Sequence, residues 1–221
     1  MTLKKINLIT NNHKRTKRNY LKRMMNSKVQ SMIVSKRYDY NYWDGPRKYG
    51  YGGYHYDGRW KKIAKKIIKK YKLTSKSKVI DFGCGKGYLI YELSKILQSN
   101  NIFGVDISKY AIKNVPSSIR SKTKVYDLRK GLNYKTKQFD LALSINLIHN
   151  FELSDLKKFL TSIVKISKKS YVSTESYRNE QELFNLQCWA LTCNSFLSDK
   201  EWKWIFQEYN YDRDYELIYF T

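Results

Sequence analysis

An acidic residue followed by three alternating glycines is the feature of this sequence with the clearest chemical meaning. Asp81 ends a short apolar run, and Gly83, Gly85 and Gly87 lead into apolar residues at helical spacing. This pattern predicts a strand, a tight turn and a helix. The glycines let the backbone turn sharply and approach a ligand that a Cβ atom would exclude. Such a unit binds a nucleotide at the carboxyl end of a parallel strand, although an ordinary strand-to-helix turn also begins this way.

A second acid follows at the distance that a nucleotide site requires. Asp106 ends another apolar run, 19 residues after Gly87. The two oxygens of a carboxylate can accept both hydroxyl protons of a ribose diol. Asp106 could instead only begin a helix, because Ser108 is a suitable cap for a short helix over Lys109 to Asn114. The order and spacing of the two acids favour the nucleotide site.

Two further strands are predicted, over Thr123 to Tyr126 and within Gln138 to Phe151. The whole stretch from Lys78 to Phe151, about a third of the chain, resembles the class I S-adenosylmethionine (SAM) methyltransferases. The D-x-G-x-G-x-G loop is similar to motif I of that family, and the run F-D-L-A-L-S is similar to motif IV. The following N-L-I-H-N resembles the x-x-L-H-H stretch of many small-molecule methyltransferases.

The resemblance implies an α/β fold with a doubly wound, mostly parallel sheet between two helical layers. It also implies SAM as cofactor, S-adenosylhomocysteine as product and no metal. An acid at the position of Asp127 often contacts the adenine amino group in this family, although Asp127 could equally be an exposed loop residue. The implied cofactor-binding residues are Asp81, Gly83, Cys84, Gly85, Gly87, Asp106, Ile107, Asp127, Leu128 and Asn146.

Methyl transfer needs a base only when the acceptor is a hydroxyl or a protonated amine. His149 is the first candidate, because it titrates near neutral pH and follows the fourth strand of the motif. Glu175 is the second, and Tyr177 and Arg178 beside it are candidates for substrate binding. His149 could instead only pack, and Glu175 could simply end a strand. No N/D-P-P-Y motif or suitable cysteine pair is present, which favours O- or N-methylation of a small polar or anionic molecule, such as a sugar or nucleotide-sugar intermediate.

Residues 38–60, here called the aromatic segment, have an unusual composition in which tyrosines alternate with glycines. An aromatic and bendable segment suits a lid over a binding site, although a surface loop or an oligomer contact would also have this composition. Aromatic faces would attract a sulfonium, and arginines would bind an anionic group. The predicted substrate-binding residues here are Arg47, Tyr49, Tyr51, Tyr54, Tyr56, Arg59 and Trp60.

The net charge is strongly positive, at +24, from 43 Lys and Arg against 19 Asp and Glu. Residues 4–37 contain no acid. Such a segment attracts polyanions, so an RNA methyltransferase, or an RNA-binding module of the same fold, is the alternative function. Coding bias in an AT-rich genome would also raise the lysine content, so charge alone does not identify the partner.

The predicted organisation is an N-terminal arm and lid over residues 1–60, followed by a SAM-binding domain over residues 61–221. We expect the first dozen residues to be loose, one helix over Arg18 to Val34, and another from Lys61 to Tyr71. A helix capped by Ser154 and a single final strand over Tyr215 to Phe220 complete the prediction. The oligomeric state is not predicted. The absence of a long apolar run or a signal-peptide pattern, with three unpaired cysteines, favours a cytoplasmic protein.

Overall fold

The structure is a computed structural model that describes residues 2–10 and 18–221. Four helices precede the glycine loop in the described residues: α1 (Tyr20–Met25), α2 (Lys28–Ser35), α3 (Tyr40–Trp43) and α4 (Arg59–Tyr71). The remaining helices are α5 (Tyr88–Leu97), α6 (Lys109–Lys113), α7 (Leu153–Ile166), α8 (Glu180–Trp189) and α9 (Asp199–Glu208). The strands are β1 (Lys4–Lys5), β2 (Val79–Phe82), β3 (Ile102–Asp106), β4 (Thr123–Val125), β5 (Phe139–Ile145), β6 (Ser167–Ser176) and β7 (Asp214–Tyr219).

Within the described residues, seven strands form one sheet in the order β1-β7-β6-β5-β2-β3-β4, and every neighbouring pair is parallel. The strand with the glycine loop, β2, lies in the middle between β3 and β5. Chain order reverses there, which places a crevice at the carboxyl ends of these strands. The predicted doubly wound sheet is therefore confirmed, and it is parallel throughout this part of the chain.

Both faces of the sheet are covered by apolar helix faces, which confirms the three-layer architecture. On one face, Ile67 of α4 and Leu93 of α5 join a buried cluster with Leu141 of the central strand β5. On the other face, Phe159 of α7 and Trp202 of α9 join a second cluster. The alternation of side chains along a strand produces these two cores and holds the central strands rigidly between them.

The expectation of a loose N-terminus is wrong for residues 2–10. Lys4 and Lys5 pair in parallel with β7 and form the edge strand of the sheet. The buried carboxylate of Glu216 accepts hydrogen bonds from the backbone amides of Leu8, at 2.5 Å, and Thr10, at 2.7 Å. Backbone donors therefore satisfy a carboxylate inside the protein and attach this segment firmly to β7. Residues 11 and 12 of the same expectation lie outside the described residues, as does part of the basic arm.

Other element boundaries differ from the predictions for local reasons. The single helix expected over Arg18 to Val34 is two helices, because Ser27 between them has a left-handed backbone with φ of 49°. Helix α7 begins at Leu153, one residue before its predicted cap, with Glu152 at the N-cap and no capping bond from its side chain. A capping box opens α9, in which the side chain of Ser198 accepts from the backbone of Glu201 and the side chain of Glu201 accepts from the backbone of Ser198.

Candidate functional site

The glycine loop has the backbone geometry that only glycine adopts easily. Gly83, Gly85 and Gly87 have φ values of +75°, +56° and +70°, in the left-handed region that L side chains rarely occupy. A Cβ atom on Gly85 would lie 2.6 Å from the ring of Trp43. The loop therefore needs glycine at Gly85 both for its backbone conformation and for the close approach of an aromatic ring.

Two acids lie beneath this loop, as predicted, at the ends of β2 and β3. The carboxylate of Asp106 accepts hydrogen bonds from the backbone amides of Gly85 and Ser108, both at 2.8 Å. Asp81 is 4% exposed, and among the described residues its Oδ1 has no hydrogen-bond partner. Burial, and then the nearby charge of Asp106, raise the pKa of Asp81 to about 8. These two carboxyl groups form an acidic site, and a bound cation would stabilise their ionised forms.

The aromatic segment packs over the glycine loop. The indole Nε1 of Trp43 donates to Ser108 Oγ at 2.9 Å, which places the ring beside the end of β3. The ammonium of Lys86 is buried and donates to the carboxylate of Asp44 at 2.6 and 2.7 Å. Lys86 also donates to the carbonyl of Tyr54 at 2.9 Å. A buried ion pair therefore attaches the aromatic segment to the loop that it covers.

A cavity of about 540 Å³ lies beside this covered loop, at the carboxyl ends of β5 and β6. Its size is in the range of small-molecule sites. Its walls come from the N-terminal segment, the aromatic segment, the ends of β5 and β6, and the turn after α8. The lining includes Arg18, Arg23, Arg47, Tyr51, Tyr54, Asp57, Arg59, Trp60, Asn146, His149, Glu175 and Trp189.

Three polar side chains form the part of the cavity next to the sheet. The Oδ1 of Asn146, whose backbone φ is +51°, accepts a hydrogen bond from Ser173 Oγ at 3.1 Å. His149 Nε2 lies 3.7 Å from Glu175 Oε2. Burial lowers the pKa of His149, while the charge of Glu175 acts in the opposite direction. The imidazole is therefore neutral at neutral pH and able to accept a proton.

The opposite part of the cavity is strongly basic. The guanidinium groups of Arg18, Arg23 and Arg47 lie 5.3, 4.4 and 5.1 Å from the centre of the Trp189 ring. Trp189 is the last residue of α8, so the arginines meet the carbonyl end of that helix. The cavity thus combines a proton acceptor with a group of cations in its lining.

The structure brings together many of the residues that the sequence singled out. Eight line the cavity, namely Arg47, Tyr51, Tyr54, Arg59, Trp60, Asn146, His149 and Glu175. Four others lie outside its lining, namely Tyr49, Tyr56, Tyr177 and Arg178. The hydroxyl of Tyr56 donates to Glu92 on α5, and Arg178 forms an ion pair with Glu182.

The remaining predicted cofactor residues lie around the glycine loop, just after β3 or just after β4. The carboxylate of Asp127 accepts from the amide and the guanidinium of Arg129, while Leu128 is buried in the core. Ile107 is 40% exposed just after β3. Cys84 faces Gly104, and burial raises the pKa of its thiol. These placements leave Asp127 and Ile107 accessible next to the covered loop.

Sequence reasoning missed Arg18, Arg23 and Trp189 as site residues, and also the roles of Trp43 and Lys86. Arg23 and Trp189 are 166 positions apart, so no local pattern could have linked them. Lys86 could have been recognised from the sequence, because an ammonium group inside a glycine loop needs a polar or charged partner. Its partner Asp44 lies in the aromatic segment that was already suspected of covering the site.

A family model described as methyltransferase domain matches residues 53–215, which is about three quarters of the chain. The chain belongs to this family. Together with the parallel sheet, the match confirms the predicted methyltransferase domain of class I, Rossmann-like fold. The family implies SAM as cofactor. Among residues 2–10 and 18–221, no group of three or more His, Cys, Asp or Glu side chains is arranged to hold a metal ion. In the same residues, no helix is both long and apolar enough to cross a membrane.

Solved structures share the fold of this methyltransferase. A chain of the complex between the Haloferax volcanii Trm112 methyltransferase activator and the putative methyltransferase aligns with a TM-score of 0.54 and 20% identity, over 66% of this chain and 65% of that one. The YcgJ protein of Bacillus subtilis aligns with a TM-score of 0.52 and 18% identity, over 66% of each chain. A SAM-dependent methyltransferase of Archaeoglobus fulgidus aligns with a TM-score of 0.52 and 19% identity, over 67% of this chain and 68% of that one.

The matched part is just under two thirds of the Haloferax and Bacillus chains. No curated protein sequence matches this methyltransferase. The likenesses therefore concern the fold, and the acceptor has to be argued from the site.

Proposed function

We propose that this methyltransferase transfers the methyl group of SAM to an oxygen or nitrogen atom of a small polar or anionic metabolite, such as a sugar or nucleotide-sugar intermediate. The observation that carries the proposal is the cavity of about 540 Å³, in which His149 and Glu175 meet an arginine cluster beside the glycine loop. A cavity of this size accommodates a metabolite.

The residues around the glycine loop fit the cofactor. SAM supplies a methyl group already activated by a sulfonium. The unpartnered Oδ1 of Asp81 would accept a hydrogen bond from the cofactor's ammonium, and the positive-φ glycines allow close backbone approach. Asp106 would accept the ribose hydroxyls, since each of its oxygens has a further lone pair beside its backbone donor. Asp127 and the backbone amide of Leu128 would contact the adenine.

His149 would take the proton from the acceptor as its oxygen or nitrogen attacks the methyl group. Its lowered pKa keeps the imidazole in the neutral form that can accept a proton. Glu175, 3.7 Å from Nε2, would stabilise the imidazolium that results. Asn146, held by Ser173, would help to align the acceptor, and alignment supplies much of the rate in such a displacement.

The aromatic segment would act as a lid that closes over both ligands. Trp43 lies against Gly85, while Tyr51, Tyr54 and Trp60 line the cavity, so one segment contacts both parts of the site. Deleting residues 38–60 should therefore weaken SAM binding and abolish turnover. If SAM affinity and turnover survived the deletion, the segment would not be a lid.

The direct test is a transfer assay with methyl-labelled SAM. A desalted host extract is separated into small-molecule, RNA and protein pools, and each pool is incubated with purified protein before the label is counted. Label in the small-molecule pool supports the proposal and provides a product for mass spectrometry. Label in RNA alone would overturn it in favour of an RNA methyltransferase, whose RNA binding should weaken steeply with salt.

A further inference from the structure

Three arginines share one aromatic platform at the mouth of the cavity. Arg23 stacks closest to the Trp189 ring, with Arg18 and Arg47 within 5.3 Å of its centre. Arg18 and Arg23 are half-buried, whereas Arg47 is exposed at the rim. Cation–π contact explains why each guanidinium is attracted to the ring. It does not explain why the cations are brought so close to one another.

Two arginines of the cluster lack a carboxylate partner among the described residues. In that part of the chain, neither Arg23 nor Arg47 lies within ion-pairing distance of a carboxylate. Arg59, also in the cavity lining, is neutralised by its own ion pair with Asp57. Among the described lining residues, the guanidiniums of Arg23 and Arg47 therefore outnumber the one remaining carboxylate, that of Glu175.

The cations are held in place before any ligand is present. The Nε of Arg23 donates to the carbonyl of Trp189 at 2.9 Å, and its Nη1 donates to the carbonyl of Arg47 at 3.0 Å. The ammonium of Lys28 donates to the carbonyl of Cys188 at 2.8 Å and so fixes the same turn. Burial, followed by the charge of Arg47, lowers the pKa of Arg23 to about 10, so the guanidinium still carries its charge at neutral pH. The protein thus maintains a repulsive arrangement that an anion would relieve.

We propose that Arg18, Arg23 and Arg47 bind a phosphate group of the methyl acceptor, as a phosphate monoester or a diphosphate. Guanidinium groups match phosphate oxygens with paired hydrogen bonds, and a phosphate can carry two negative charges where a carboxylate carries only one. The proposal rests on the proposed function, because it takes this cavity as the acceptor site and directs the reacting atom of the acceptor towards His149.

The shape of the site favours a small phosphorylated molecule over a phosphate of an RNA chain. The three guanidiniums converge on the single ring of Trp189 beside a cavity of about 540 Å³, instead of forming a row along the surface. A nucleic-acid backbone would need a continuous basic track. The phosphate is therefore a terminal group of a metabolite, with the rest of the molecule lying between Trp189 and the end of β5.

Anion binding is tested first without SAM, by titrating inorganic pyrophosphate into the full-length protein in a calorimeter. Arg23→Gln and Arg47→Gln should each weaken pyrophosphate binding by about tenfold, because each removes charge-assisted hydrogen bonds. The exposed Arg120, far from the cavity lining, supplies the matched control Arg120→Gln, which should bind as the wild type does. Arg47 is at the rim, so its variant remains informative even if Arg23→Gln fails to fold. Wild-type affinity in Arg47→Gln, or an equal loss in Arg120→Gln, would overturn the proposal.

The second arm uses the small-molecule pool from the transfer assay. Treating the pool with phosphatase before adding protein and labelled SAM should remove the methyl acceptor. Full labelling of the treated pool would overturn the phosphate proposal while leaving the methyltransferase proposal intact. Absence of SAM binding would defeat the proposed function instead, and the pyrophosphate titration would still decide whether the arginine cluster binds phosphate.

Discussion

The glycine loop and the cavity that contains the arginine cluster are adjacent, yet they are built in different ways. The loop site comes from one stretch, Asp81 to Ser108, whose geometry is set by positive-φ glycines and by backbone amides that donate to Asp106. The cavity comes from side chains separated by well over a hundred residues, such as Arg23 and Trp189. The first site depends on local backbone conformation, whereas the second depends on the complete topology of the sheet and its N-terminal cover.

The two regions also have opposite charge. Two buried acids, Asp81 and Asp106, lie beneath the loop, and the nearby Lys86 is neutralised by Asp44. The cavity instead has an excess of positive charge around Trp189. A cationic methyl donor and an anionic acceptor would therefore be attracted to different sides of the same crevice. Separate variants in each region should affect one ligand and leave the other unchanged.

The largest expected effect separates chemistry from binding. His149→Gln keeps a polar side chain but removes the proposed base, so kcat should fall by about 100-fold. SAM affinity should be unchanged, because the imidazole faces Glu175 in the cavity and not the glycine loop. Steady-state kinetics with the identified acceptor, together with calorimetry for SAM, measures both quantities. Unchanged kcat would reduce His149 to a packing residue.

The second prediction concerns the aromatic segment, which contacts both the glycine loop and the cavity. Asp44→Ala leaves the buried ammonium of Lys86 without its carboxylate, and breaking a buried pair costs about 3 kcal/mol. The aromatic segment should detach from the loop, so SAM binding and pyrophosphate binding should both weaken by at least about tenfold. Limited proteolysis within residues 38–60 reports the detachment.

Asp155→Ala is the control for this prediction, because it breaks an exposed ion pair with Lys158, which contributes little to stability. It should leave both affinities unchanged. If Asp44→Ala weakened SAM binding alone, the aromatic segment would serve only the glycine loop, and the two regions would be independent.

The difference in construction explains which parts of the site were predictable. The positions of Asp81, the three glycines and Asp106 at one strand-turn-helix unit were predicted from their spacing, because such a unit imposes its own residue types. The central strands and the helices that cover them were also predicted, since their apolar periodicity is strong. The arginine cluster was not, because Arg18 and Arg23 lie in a generally basic segment where no residue stands out.

Errors in the predicted fold have a similar origin. The edge strand β1 contains only Lys4 and Lys5, which carry no apolar signal, and its attachment depends on a distant carboxylate at Glu216. The break at Ser27 depends on a single left-handed residue that is not glycine. Tertiary contacts determine both features, so composition and periodicity could not reveal them.

The third prediction uses pH to examine the glycine loop. With a pKa of about 8, Asp81 is mostly protonated in the free protein at neutral pH, and binding an ammonium requires the ionised form. Binding should therefore release a proton, and SAM affinity should rise severalfold between about pH 6 and pH 8. Asp81→Asn should bind SAM about tenfold more weakly near pH 8 and lose this slope. Calorimetry in buffers of different ionisation enthalpy counts the released proton. A slope that persists in Asp81→Asn would assign the titration to Asp106.

The smallest expected effect tests the charge balance of the cavity. Burial lowers the pKa of both Arg18 and Arg23, and the charge of Glu175 acts in the opposite direction, so Glu175 is the carboxylate that offsets these arginines. Glu175→Gln removes that competing charge, so pyrophosphate should bind about threefold more tightly while SAM affinity stays the same. The same calorimetric titration measures the change. Weaker pyrophosphate binding would mean that Glu175 orders the arginines rather than competing with the anion. In that case the positive charge would depend on the polar end of the cavity, and the acceptor site would have to be treated as one electrostatic unit from Trp189 to His149.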